Sequence, residues 1–98
     1  TGNTNLRNLF FSISSDVGWH EKNGCVYLLH KTKGEIDVLN ESGSLLWKAL
    51  SRKKQTFYSL FHLLSKEYSI DKSVLKNDLV QFLMNYTTGG YISYKTIK

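Results

Sequence analysis

The chain has 98 residues, 41% hydrophobic and 13% aromatic, with a formal net charge of +5. That suits one small domain whose core needs no staple, because the length exceeds the roughly 70–80 residues below which scaffolds usually require one. A single cysteine excludes an internal disulfide and a cysteine-only metal site. No run approaches the roughly 18 apolar residues of a membrane span.

In chain order, residues 1–13 read as an irregular N-terminal segment, with Leu6, Leu9, Phe10 and Phe11 available to pack at the edge of the core. Residues 14–98 read as a single domain. Strands are expected over 14–20 and 25–31, joined through Glu21-Lys22-Asn23-Gly24, because Asn-Gly tolerates the positive φ that a tight hairpin needs. Cys25 opens an apolar run and reads as a small buried hydrophobe. Lys33-Gly34 turns the chain into a third strand, 35–39, with Ile36 and Val38 on one face and Glu35 and Asp37 on the other. The result is a three-stranded antiparallel meander.

The period then changes within two or three residues. Asn40 is positioned to cap a helix over 41–50, in which Leu45, Leu46, Ala49 and Leu50 recur at helical spacing, and Ser42 offers a competing start. Arg52-Lys53-Lys54 falls in a solvated loop. Thr56 caps a second helix over 56–68, with Phe57, Leu60, Phe61, Leu64 and Tyr68 on its buried stripe. A third helix starts at Asp71 or Ser73 and runs to Tyr86, with Leu75, Leu79, Phe82 and Tyr86 as its main stripe. Gly89-Gly90 ends it, and Tyr91-Ile92-Ser93-Tyr94 alternates like a short strand or wing. The fold class is therefore α+β: a β-meander, then three helices in a winged helix-turn-helix-like arrangement, then a short C-terminal strand.

Groups that converge for catalysis are absent from the pattern. His20, His30 and His62 are scattered, none at metal-ligand spacing, and no serine has a nucleophile-elbow context. Asn40-Glu41-Ser42-Gly43 is explained by capping. The expectation is a protein that is not an enzyme and uses no cofactor or metal. Two features point instead to binding. The third helix carries Lys76, Val80 and Leu83 at i, i+4 and i+7 beside its core stripe, which reads either as a broad core face or as one wall of an apolar groove. The third strand is short and last in its meander, and an unpaired edge is a template for strand addition by a peptide.

These residues resemble a known family. Glu35-Ile36-Asp37-Val38-Leu39-Asn40-Glu41-Ser42-Gly43-Ser44-Leu45-Leu46-Trp47 is similar to the strand-to-helix signature of PqqD-like proteins, the precursor-peptide recognition elements of ribosomally made natural products (RiPPs). Asp78, Leu79, Phe82 and Leu83 match the family's third helix, and the likeness spans residues 14–94. The resemblance implies a domain that adds a leader peptide as a strand beside residues 33–39 and docks it against a helix wall over 72–83. Carried onto this sequence, the contacts are Lys33, Glu35, Ile36, Asp37, Val38 and Leu39 on the strand, and Lys72, Leu75, Lys76, Leu79, Val80 and Leu83 on the helix. The implied partners are the leader of a precursor peptide and a peptide-modifying enzyme such as a radical-SAM maturase, a lasso-peptide protease or a cyclase.

The chain departs from the family in being basic, and Lys72 and Lys76 suggest a leader with acidic residues. Aspartate at Leu79 or Val80 is expected to abolish binding and spare the fold. No membrane partner is expected, and with no signal-peptide pattern the expected location is cytoplasmic. The start at Thr1 without methionine leaves a free-standing protein and an excised domain both open. Two rivals remain. A DNA-binding winged helix-turn-helix regulator would read bases through Lys72, Lys76, Asn77 and Gln81, although Asp71 and Asp78 stand among them and the third helix carries no arginine. A plain scaffold or oligomerisation domain is the other.

Overall fold

The protein is described by a computed structural model over residues 9–96. Local signals in the sequence set most of its elements. β1 (Leu9–Ile13) leads through a turn into β2 (Val17–Lys22), which pairs with β3 (Cys25–His30) across the two-residue Asn23-Gly24 loop. Both loop residues have positive φ, 55° and 81°, as that hairpin requires. Gly34, at φ 72°, turns the chain into β4 (Glu35–Val38).

α1 (Glu41–Arg52) starts where the Asn40 side chain accepts a hydrogen bond from the Gly43 amide at 2.8 Å. The buried Ser44 hydroxyl locks that turn to the sheet, accepting from the Val26 amide at 2.9 Å and donating to the Leu39 carbonyl at 3.3 Å. β5 is the dipeptide Gln55–Thr56. α2 (Phe57–Glu67) opens with a reciprocal capping box between Thr56 and Ser59. α3 (Lys72–Thr88) is capped by Asp71 and closed by a Schellman motif. In that motif the Tyr91 amide donates to the Tyr86 carbonyl, the Gly90 amide donates to Thr87, and Gly90 takes φ 84°. β6 (Ile92–Thr96) follows.

The strands form two antiparallel three-stranded sheets, ordered β5-β1-β6 and β2-β3-β4. The second is the expected meander. The first is new relative to the sequence reading. Leu9–Ile13 is a strand and not an irregular segment, and it pairs along its whole length with β6, from Leu9↔Thr96 to Ile13↔Ile92. The single strand expected over 14–20 begins later, because Ser14-Ser15-Asp16 forms a turn in which the Val17 amide donates to the Ser14 carbonyl. Leu6, expected to pack, lies outside the described residues.

Both sheets and all three helices share one core, in which Phe11, Val26, Leu28, Trp47, Leu60, Leu79 and Leu83 are all at most 1% exposed. Cys25, expected to be buried, is only half-buried at the start of β3. Among the described residues no helix is long and apolar enough to cross a membrane.

Candidate functional site

β4 stands at the end of its sheet, hydrogen-bonded to β3 on one side. The Leu39 amide donates to the Val26 carbonyl, so residues 35, 37 and 39 direct their backbone groups toward β3, and Ile36 and Val38 direct theirs outward. Directly paired residues share a face of a sheet. The register Leu28↔Asp37 therefore puts Asp37 on the inner face with buried Leu28, and Leu29↔Ile36 puts Ile36 on the outer one. The expected pairing of faces is present: Asp37 turns inward, while Ile36 (72% exposed) and Val38 (49%) turn out.

Beside this edge lies a cleft of about 430 Å³. Val38 and Leu39 form its strand side, and Asn40, Ser42, Gly43 and Leu46 from the start of α1 close one end. Leu64 and Leu75 lie at its buried floor. α3 supplies the opposite wall through Asp78, Gln81, Phe82, Asn85 and Tyr86. Gly43 matters sterically: a Cβ there would stand 3.1 Å from the Asn40 Oδ1 and 3.4 Å from the Phe82 ring. The small residue lets α1 and α3 approach across the end of the cleft.

One hydrogen bond crosses from wall to edge. The Tyr86 hydroxyl donates to Asp37 Oδ2 at 2.8 Å, while Asp37 Oδ1 accepts from the outward-facing Val38 amide at 2.8 Å. Burial, then this bond to the carboxylate, holds the Tyr86 hydroxyl well above its ordinary pKa of 10.0. The Tyr86 ring also contacts Phe82 at 4.9 Å and Tyr91 at 5.7 Å, and Tyr91 meets buried His30 edge-on at 5.4 Å. No group of three or more metal-ligating side chains is assembled among the described residues.

Of the residues expected on the site, Val38, Leu39 and Leu75 line the cleft, the last two as buried side chains. Asp37 joins it through Tyr86, and Glu35 is exposed beside it on the same strand. The outward backbone of Ile36 is at the edge, although its side chain faces away from the cleft. Lys33 is near the far end of α3, its ammonium donating to the Gly89 carbonyl at 2.8 Å.

The residues expected on the helix wall divide between the core, the cleft and the outer face of α3. Leu79 (0% exposed) and Leu83 (1%) are core residues and present nothing to a ligand, and Leu75 is exposed by only 3%. Lys72, Lys76 and Val80 do not line the cleft. At about 100° per residue, Val80 points roughly 160° away from Phe82 on the helix wheel. Asp78, Phe82 and Tyr86, spaced i, i+4, i+8, face the cleft, and Phe82 and Tyr86, expected on the core stripe, also pack against the core. A broad apolar stripe does not say which of its margins meets a neighbouring strand. Gly43, the small residue in the first turn of α1, was the available hint that α3 comes close there.

Comparisons with known proteins agree with this architecture. Residues 25–92 match the family model described as Coenzyme PQQ synthesis protein D (PqqD). No curated protein matches the chain. Among solved structures, TbiB1 in complex with the TbiA(beta) leader peptide is similar at 26% identity and a TM-score of 0.78, over 84% of this chain and 94% of that one. A lasso peptide synthetase B1 complexed with the leader peptide shares the fold, with a TM-score of 0.74 and 17% identity over 85% and 96% of the two chains. With more than half of its length matched, from the start of β3 to the start of β6, the chain belongs to the PqqD family.

Proposed function

We propose that this protein binds the leader region of a ribosomally synthesised precursor peptide, as a strand added to β4 and seated in the cleft against α3, and presents it to a peptide-modifying enzyme. The protein itself performs no chemistry. The observation that carries this reading is the juxtaposition of an open strand edge with a partly apolar cleft. The edge supplies backbone donors and acceptors of fixed spacing, and the cleft selects alternate side chains. Membership of the PqqD family supports the reading, as does the likeness to two proteins solved with leader peptides. The contacts are the outward backbone of Ile36 and Val38 and the side chains of Phe82, Gln81, Asn85 and Asp78. The enzyme that receives the peptide would be a maturase, protease or cyclase encoded alongside the precursor.

Ile36→Pro tests this directly. It removes an amide that points away from β3, and its own side chain is already in solvent, so the fold should survive. Titration with a synthetic leader from the neighbouring precursor gene should give a Kd in the micromolar range or tighter for the native chain, weakened at least tenfold by the proline. Equal affinity for the two proteins would refute strand addition. The DNA-binding alternative has less support, because Gln81 lines the cleft beside the acidic Asp78. Salt-sensitive binding to duplex DNA without any binding of leader would reinstate it.

A further inference from the structure

The third helix had suggested, through Lys72 and Lys76, a ligand carrying acidic residues. Neither lysine lines the cleft. The one charged side chain that does, among the described residues, is Asp78, which is exposed and makes no hydrogen bond or ion pair there. Four residues on, along the same face, comes Phe82, and four further Tyr86, their rings 4.9 Å apart and tilted by 42°. At the Tyr86 end stands a second carboxylate, Asp37. Lys33, at the far end of α3, is engaged with the Gly89 carbonyl.

Resting on the strand-addition reading above, we propose that the cleft selects a basic residue of the bound strand, lysine or arginine, whose cation lies against Asp78 and the Phe82–Tyr86 rings. Two features of the cleft argue for a cation over a neutral or acidic group. Aromatic faces attract cations, and such contacts strengthen as water is excluded. An acidic side chain in the same place would meet Asp78 with no compensating cation in the lining. The selection is local: the whole protein carries +5, so its long-range field repels a basic peptide, and the preference must arise in the cleft. Arginine suits the site best, since its flat guanidinium stacks on a ring while its edge pairs with a carboxylate.

Phage-displayed peptides of random sequence, selected on the full chain, test this. Selected strands should share a lysine or arginine at one position, and synthetic versions with glutamate there should bind roughly tenfold more weakly. Asp78→Asn should bring that ratio toward one, and Asp78→Lys should invert it. Both variants change an exposed side chain, and circular dichroism would confirm that they fold. Selected strands that bind equally well with either charge would overturn the basic-residue selection and leave strand addition standing. If Asp78→Lys kept the lysine preference, the assignment to Asp78 would fall. Recovery of no binding peptide at all would overturn the strand-addition reading as well.

Discussion

Asp37 is where the chemistry of the edge is concentrated. An unpaired strand edge invites aggregation, and an inward-pointing charge on that strand is one way proteins suppress it. Here the carboxylate does so twice: Oδ1 occupies the outward Val38 amide, and Oδ2 is held by the Tyr86 hydroxyl. A peptide strand must compete with Oδ1 for that amide, so the Tyr86 bond limits how readily the edge opens. Tyr86→Phe should cost about 1.5–3 kcal/mol in chemical denaturation, the usual value of a hydrogen bond to a charged group. It should also speed hydrogen exchange at the Val38 amide. The same hydroxyl sets an alkaline limit. Its folded pKa is raised, so the unfolded chain ionises first, near the ordinary 10.0. Stability is fully present below pH 10 and is lost as pH rises beyond it. The melting temperature should fall above pH 10, and less steeply in Tyr86→Phe.

At the scale of elements, α3 divides its apolar residues between two tasks. Leu75, Leu79 and Leu83 anchor the helix in the core, while Phe82 and Tyr86, half-buried, wall the cleft. Substitutions should therefore separate. Leu79→Ala leaves a cavity in the core and should cost about 2–5 kcal/mol in denaturant unfolding; Leu79→Asp, at a site with no exposure, should fail to fold. Phe82→Ala should cost clearly less stability and yet weaken peptide binding at least tenfold, as read by titration with the leader. Loss of binding in Leu79→Ala with an unchanged melting temperature, or intact binding in Phe82→Ala, would contradict this division. The elements themselves were largely legible. Asn23-Gly24, Asn40, Thr56 and Gly90 are local signals whose physics acts within three or four residues, and each sits where the sequence placed a turn or a helix end. The margin of α3 that meets β4 was not legible, because periodicity gives a stripe and no partner.

For the whole molecule, the β1–β6 pairing ties the two ends of the described chain together. Ile13 meets Ile92, and Phe11, 1% exposed, lies over the core. A domain of this size has roughly 5–15 kcal/mol of net stability. Phe11→Ala, at about 3–5 kcal/mol, should remove a large share of it and lower the urea midpoint while spacing and charge in the cleft stay the same. A loss as small as a surface substitution would mean that the first sheet is dispensable.

The sequence by itself determined the meander, the succession of three helices after it, their caps and the presence of a strand edge, but neither β1 nor β5. Those follow from period, turn residues and capping side chains, which are local. Only the tertiary structure decided that Leu9–Ile13 pairs with residues some eighty positions away, that Ile36 and Val38 face solvent with Asp37 inward, and that Asp78 and not Lys76 lines the cleft. Each of these depends on which surfaces meet across long stretches of chain. A period of 2 or 3.6 residues defines faces, and only packing against the rest of the molecule assigns each face a neighbour.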